Sequence, residues 1–297
     1  MTAGDAAMQA RGETNATAAN GPRPLLSARG LAKRFGAVVA ADNVTIDVPA
    51  GQRLSVIGSN GAGKTTFVNM VTGYLKPDAG VIALDGVDIT SRTHRQIAAM
   101  GICRSFQIPQ LCIELTLEEN LLVAVAAAQG RPSPWQHARS GGRHERAQAL
   151  LDRFGLASDA ERPVAELAGG VRKLADIAMA LARRPKLLLL DEPTSGVSAA
   201  EKFVAMRRVI DALEGAAATV VFIEHDMDIV AEFSERVIAF YSGRVIADGS
   251  PAQVLADADV QRYVTGRARG AAPTTAAAAW SNGATASIAA PGHGGQP

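Results

Sequence analysis

The stretch Gly58-Ser-Asn-Gly-Ala-Gly-Lys-Thr-Thr66 follows the pattern G-x-x-x-x-G-K-[ST], and its residue types divide a single task between them. Gly58, Gly61 and Gly63 let the backbone turn so that successive N–H groups point inward at phosphate oxygens. Lys64 adds a point charge suited to β- and γ-phosphates, and the Thr65 hydroxyl can hold Mg²⁺. The intervening Ser59, Asn60 and Ala62, with Thr66, complete the candidate phosphate cradle. Leu54-Ser-Val-Ile57 before the loop reads as a strand, and Thr65 to Tyr74 after it reads as a helix with Phe67, Val68 and Val71 on one face. A helix N-terminus adds its positive dipole end to such a site. The chain is therefore expected to bind a nucleoside triphosphate.

Other segments carry chemistry that suits this ligand. Leu187-Leu-Leu-Leu190 ends in Asp191-Glu192-Pro193. A carboxylate at the end of a buried strand is costly without a cation, which makes Asp191 the candidate Mg²⁺ partner. Glu192 then stands at the γ-phosphate edge, where it can polarise an attacking water. His225 directly follows the strand pattern Val220 to Ile223 and Glu224, at the end of a sheet where ligands bind in open α/β folds. Gln107, in Arg104-Ser-Phe-Gln107, is a candidate for contact with Mg²⁺ or with the lytic water. Leu167-Ala-Gly-Gly-Val-Arg-Lys173 leads into a predicted helix from Leu174 to Ala182 and offers a second anion-ready helix start. One nucleotide does not need two such sites. The segment is either a plain loop entering a helix or a site for a nucleotide held by a second subunit.

The elements that position these residues alternate strand and helix. Asn43 to Val48 alternates apolar and polar residues as a half-buried strand does, and Val81 to Leu84 runs into an Asp85-Gly86 turn. Ser91 to about Leu181 reads as mostly helical, with Thr116 and Glu119 forming a capping box for a helix through Val123. Arg131 to Arg143 reads as a loop and Glu145 to Phe154 as a helix. Leu187–Leu190 and Val220–Ile223 lack alternation, as parallel strands covered on both faces do. Val237–Tyr241 and Arg244–Ala247 flank Ser242-Gly243, a two-residue hairpin signal. The fold class expected is α/β: a phosphate-loop NTPase core of RecA-like type, with an antiparallel β subdomain and an inserted helical subdomain at about 92–180.

The 297 residues are 47% hydrophobic and 20% charged, enough for one large domain, and the net charge of +1 gives no basic field for nucleic acid. The longest apolar stretch, Leu121 to Ala128, is far too short to span a bilayer, and Met1 to Gly21 lacks the apolar core of a signal peptide. Residues 1–23 and 267–297 are poor in large apolar residues and are expected to be disordered, leaving a folded unit of 24–266. Trp280 is an isolated aromatic in the second tail, where a flexible tail is favoured over a docking role. Cys103 and Cys112 have neither metal-type nor disulfide-framework spacing, so both are expected to be buried structural thiols in a reducing compartment.

Taken in order, Gly58 to Thr66, Gln107, Leu167 to Lys173, Leu187 to Glu192, Ser195 to Ser198 and His225 resemble the ATP-binding-cassette (ABC) ATPases, over Leu26 to about Gly266. Lys33 to Val44, Arg104 to Gln107, Glu224 to Val230, Gly243 to Gly249 and Gln261 to Gly266 are further similar to the ATPase subunits of branched-chain amino acid importers and their urea and amide relatives. The resemblance implies ATP and Mg²⁺ as ligands, with Phe35 stacking on adenine. It implies that Ala168, Gly169 and Gly170 complete a site on a second ATPase subunit, identical or related. It implies membrane permease partners, indirectly a solute-binding protein, and a peripheral place on the cytoplasmic face of the membrane. Gln107 lies in the segment that, in this family, senses both the γ-phosphate and the permease.

Three positions depart from the family pattern. Ala168 stands where Ser is usual, Val171 where Gln is usual, and Ser198 where an Asp reaching across the dimer is common. Working but slow hydrolysis is expected. Besides import, an export ATPase of the lipopolysaccharide-exporting type and a soluble, non-transport ABC ATPase remain as alternatives. In the family it resembles, the permease and the external binding protein choose the transported solute.

Overall fold

The computed structural model describes residues 23–129, 142–198, 200–214 and 218–266. The two tails, and nearly all of the loop expected at Arg131 to Arg143, lie outside the described residues. In chain order the elements are β1 (Leu26–Phe35), β2 (Val38–Val48), β3 (Arg53–Gly58), α1 (Lys64–Val71), β4 (Ala79–Leu84), β5 (Val87–Asp88), α2 (His94–Ala99), β6 (Ile102–Ser105), α3 (Leu117–Ala128), α4 (Arg143–Phe154), α5 (Gly169–Leu181), β7 (Leu187–Asp191), α6 (Lys202–Glu214), β8 (Thr219–Ile223), α7 (Met227–Phe233), β9 (Arg236–Tyr241), β10 (Arg244–Gly249), α8 (Pro251–Ala256) and α9 (Ala258–Tyr263). Short 3₁₀ turns lie at Ala157–Asp159 and Val164–Glu166.

The strands form a four-stranded antiparallel sheet, β2-β1-β4-β5, and a six-stranded sheet, β10-β9-β3-β8-β7-β6. In the larger sheet β9, β3, β8, β7 and β6 run parallel, and only β10 is antiparallel. The unbroken leucines of β7 are explained by burial on both faces. Leu187 and Leu189 enter the core shared with α1 and the antiparallel sheet, while Leu188 and Leu190 enter the core beneath α3, α4 and α5. All four are at most 1% exposed, and each buried leucine side chain contributes about 1.5–3 kcal/mol to folding.

The region from Ser91 to Leu181 needs one correction. It is helical at α2, α3, α4 and α5, but Ile102–Ser105 is a strand that pairs in parallel with β7. Four residues at a sheet edge, one of them arginine, are too short and too polar for a period-2 pattern to stand out. Helix α1 is also shorter than expected, ending at Val71, and α5 begins earlier, at Gly169. The capping box at α3 is present: Thr116 accepts the Glu119 N–H, and the Glu119 carboxylate accepts the Thr116 N–H. The β9–β10 hairpin turns on Ser242 (φ 48°) and Gly243 (φ 79°), both in the left-handed region that a two-residue turn of this kind requires. This turn also braces the phosphate loop, since the Gly243 N–H donates to the Ala62 carbonyl at 2.9 Å and the Gly243 carbonyl accepts the Asp42 N–H at 2.9 Å. Of the two cysteines only Cys103 is buried; Cys112 is exposed. The amide and carbonyl of Cys112 are held by the Asn120 side chain, which fixes its backbone and leaves the thiol outside.

Burial of β7 on two faces makes a direct prediction. Leu188→Ala and Leu189→Ala should each lower stability by about 2–5 kcal/mol in denaturant unfolding. A near-neutral result for either would mean that one face of the strand is not packed.

Candidate nucleotide site

Four parallel strands that are neighbours in the sheet, β3, β8, β7 and β6, end side by side. Their carboxyl ends deliver the phosphate loop, His225, Asp191-Glu192 and the segment leading to Gln107, so the topology itself gathers residues far apart in sequence. The loop after β3 has no room for side chains at two glycines. A Cβ on Gly58 would lie 2.5 Å from the Phe240 carbonyl oxygen, and one on Gly63 would lie 2.4 Å from the Ala40 carbonyl oxygen. Gly63 (φ 107°) is the N-cap of α1 and supplies no side-chain acceptor, and the helix has no acidic residue in its first turn. Its first N–H groups and its dipole are left for an anion.

Lys64 is buried, and its ammonium donates to the carbonyls of Gly58 at 2.5 Å and Ser59 at 3.0 Å. Burial lowers its pKa from the ordinary lysine value, and Glu192 and then Asp191 push it back up. The two carboxylates and the lysine therefore share one electrostatic neighbourhood. Thr65 is exposed on the first turn of α1, and its hydroxyl has no hydrogen-bond partner among the described residues.

Glu192 is the point of convergence. Gln107 Nε2 donates to one of its carboxylate oxygens at 3.0 Å, and His225 Nε2 lies 3.2 Å from the other. Its backbone adopts φ 48°, an uncommon conformation for a residue with a side chain that costs of order 1–3 kcal/mol. The Glu192 N–H is held by the Ile223 carbonyl at 3.0 Å, which ties the end of β7 to the end of β8. A buried glutamate, Glu224, fixes the flanks of this pair by accepting the Thr194 N–H and hydroxyl at 3.1 and 2.7 Å and the His225 N–H at 3.1 Å. The three predicted catalytic residues thus meet, and a cleft of about 670 Å³ opens beside Glu192, Thr194 and His225.

Asp191 is less solitary than its sequence context suggested. Arg104 on β6 donates to its carboxylate at 2.6 Å, and both side chains are about nine-tenths buried. The same guanidinium donates to Asn69 Oδ1 at 2.6 Å and stacks over the Phe106 ring, with 5.1 Å to the centroid. Sequence reasoning passes over Arg104 as a functional residue, because the strand that buries it forms only by pairing with β7.

The remaining predicted residues are dispersed at the rim. Phe35 is half exposed at the end of β1, with Lys33 Nζ 5.8 Å from its ring centroid. Ala168 is the exposed N-cap of α5 and makes no side-chain capping bond; Gly169 and Gly170 form the first turn, which carries no acidic residue. A Cβ on Gly170 would sit 3.2 Å from Val197 Cγ2, so the turn lies directly against the loop that follows Glu192. Ser198 is turned to a local task, its hydroxyl donating to Glu201 at 2.6 Å ahead of α6.

With this geometry in view, the comparisons with known proteins decide the family. The model of the ABC transporter family matches residues 41–195. The chain belongs to that family. It is 35% identical over 254 residues to the high-affinity branched-chain amino acid transport ATP-binding protein LivG of Escherichia coli, covering 83% of this chain and 99% of LivG. It is 35% identical over 255 residues to the corresponding BraF of Pseudomonas aeruginosa, again covering 83% and 99%. A crystal structure of the ADP conformation of an ATP-binding cassette of an ABC transporter aligns with a TM-score of 0.73 and 32% identity, over 81% of this chain and 98% of that one. As an ABC ATPase, the chain hydrolyses ATP to power transport. The α/β fold with a phosphate-loop core and an antiparallel sheet is that of the family's cassettes. Among the described residues no helix is long and apolar enough to cross a membrane.

The Arg104–Asp191 pair yields a second prediction. Arg104→Met leaves a buried carboxylate without its cation and should cost about 3–5 kcal/mol. Adding Asp191→Asn should recover part of that loss, and a denaturant-unfolding cycle on the four proteins should give a coupling of about 1 kcal/mol or more. Strict additivity would show that the two groups do not stabilise each other.

Proposed function

We propose that this chain is the ATPase subunit of an importer for branched-chain amino acids or related small amino acids and amides. It works as a dimer with a second ABC ATPase, identical or related, at the cytoplasmic face of a membrane permease that receives its solute from a binding protein. The names of LivG and BraF, each matched over nearly its whole length, support the substrate class. They favour import over a lipopolysaccharide-type exporter or a soluble ABC ATPase.

The observation that carries the catalytic assignment is the convergence of Gln107 and His225 on the two oxygens of Glu192. Lys64 gives up its loop carbonyls for the β- and γ-phosphates, and Gly58 to Thr66 supply backbone donors around them. Phe35 offers an exposed ring face for adenine. The donors Thr65 Oγ1, Asp191 and Gln107 are all oxygen-bearing and fit a hard divalent cation; Gln107 uses its amide nitrogen on Glu192 and keeps its amide oxygen available. Mg²⁺ held there would neutralise phosphate charge. Glu192 accepts a proton from, or orients, the attacking water, and His225 steadies the carboxylate from the side. The exposed start of α5 at Ala168, Gly169 and Gly170 presents free N–H groups outward, suited to the γ-phosphate on the partner subunit.

The test is Glu192→Gln. Hydrolysis in the full-length protein should fall by about 100-fold or more while ATP binding persists, and ATP should drive a dimer that persists in size-exclusion chromatography. Undiminished turnover would remove Glu192 from the mechanism. Purification from membranes with the bound permease, followed by reconstitution, should show inward transport of a branched-chain amino acid or a small amide.

A further inference from the structure

Lys173, on the second turn of α5, is 1% exposed, yet none of its hydrogen bonds goes to a carboxylate. Its ammonium donates at 2.6 Å to the Phe106 carbonyl and at 2.6 Å to the Asp191 carbonyl. These are the residues immediately before Gln107 and immediately before Glu192. One turn further along the same face of α5, the buried Asp176 accepts the Phe106 N–H at 3.0 Å on one oxygen and the Gln110 N–H at 3.1 Å on the other. Both backbone polar groups of Phe106 are therefore taken by side chains of a single helix. That helix is the one whose exposed N-terminus begins at Gly169.

We infer that Lys173 and Asp176 are positioning residues that set the approach of Gln107 to Glu192 and tie it to the placement of α5. The inference rests on the catalytic reading of Gln107 and Glu192 given above. An ammonium that bridges two carbonyls fixes their separation, because each N–H···O bond has a narrow range of length and direction. The Gln107 and Glu192 side chains each hang one residue beyond a fixed carbonyl, and their 3.0 Å contact follows from that spacing. A shift of α5 carries both anchors with it. Closure of a second subunit onto the start of α5 is then felt at the Gln107–Glu192 contact without any residue of the phosphate loop moving. Burial of Lys173 without a direct carboxylate partner lowers its pKa, while Asp176, Asp191, Glu192 and Glu224 nearby favour its charged form. Burial likewise raises the pKa of Asp176, opposed by its two backbone donors and by Lys173. Neither group makes a stability argument alone, since buried charges are costly, and their retention here matches a role in geometry.

The test uses the full-length protein with Lys173→Met, Asp176→Asn, Gln107→Ala and the double variant Lys173→Met/Gln107→Ala. Lys173→Met should lower kcat by about 30-fold, with KM and the equilibrium Kd for MgATP within about 3-fold of the wild type. Added to Gln107→Ala, it should lower kcat by less than about 3-fold further, because both changes break the same arrangement. In the nucleotide-free protein, Asp176→Asn should speed amide hydrogen exchange at Phe106 and Gln110 by about 10-fold or more relative to the amides of β3. A kcat for Lys173→Met close to the wild type, fully multiplicative effects in the double variant, or unchanged exchange at Phe106 and Gln110 would each overturn the inference. Full turnover in Glu192→Gln would instead overturn the catalytic reading, and the exchange measurement would still judge the clamp.

Discussion

The carboxyl edge of the six-stranded sheet has to keep cations and carboxylates together out of bulk water, and most of the site follows from that constraint. Lys64, Arg104 and Lys173 are buried or nearly so, and so are Asp191, Asp176 and Glu224. Any one of them alone would cost several kcal/mol to desolvate. Each is instead held by hydrogen bonds to fixed atoms: Arg104 on Asp191 and Asn69, Lys173 on two carbonyls, Asp176 on two amides, Glu224 on Thr194 and the His225 amide. The parallel strands make this possible, because they bring four chain segments to one edge and cover both faces of the sheet with apolar packing.

Lys64, like Lys173, is held by two backbone carbonyls. Its ammonium is spent on the carbonyls of its own loop, while Gly63 leaves the start of α1 uncapped. A triphosphate would offer both the lysine and the helix N–H groups charged acceptors, which are stronger partners than neutral carbonyls. The loop backbone is braced by its neighbours. Gly58 and Gly63 are pressed against the Phe240 and Ala40 carbonyls, and the β9–β10 turn is bonded to Ala62. The strained Glu192 backbone is of the same kind: its left-handed φ aims the carboxylate between Gln107 and His225, where an extended strand would have carried it onward with β7.

What was legible in the sequence was whatever is encoded within one short window. The phosphate loop carries its glycines, lysine and hydroxyl in consecutive positions, the Leu187–Asp191 strand shows its burial and its terminal carboxylate together, and the Ser242-Gly243 turn is a local backbone requirement. The strand β6 was not legible, since Ile-Cys-Arg-Ser gains its structure from pairing with β7, Ile102 against the sequence-distant Leu187. Arg104, Lys173 and Asp176 were missed for the same reason. Their partners are reached only through tertiary contact, and a lysine and an aspartate three apart on a helix look like a solvated i, i+3 pair until burial is known. Cys112 shows the reverse error: a residue type that is usually buried is turned outward by a backbone clamp from Asn120.

The departures at Ala168, Val171 and Ser198 acquire a physical meaning from α5. With Ala at the N-cap there is no hydroxyl to cap the helix from within, and none to donate to a phosphate. What remains is a row of backbone N–H groups at the start of a 13-residue helix, with no acidic side chain to compete for them. Such a donor set is insensitive to the side chain at position 168, provided the turn itself is held. Gly170 packs against Val197, and Lys173 and Asp176 anchor the next turn to the segments that precede Gln107 and Glu192. Ser198, bonded to Glu201, shapes the approach to α6 and offers no carboxylate outward. In the proposed two-subunit site, the start of α5 would rely on backbone donors and on the rigidity of their mounting. Loss of one hydroxyl removes a bond worth about 1–3 kcal/mol to a charged acceptor and leaves the arrangement of the rest intact.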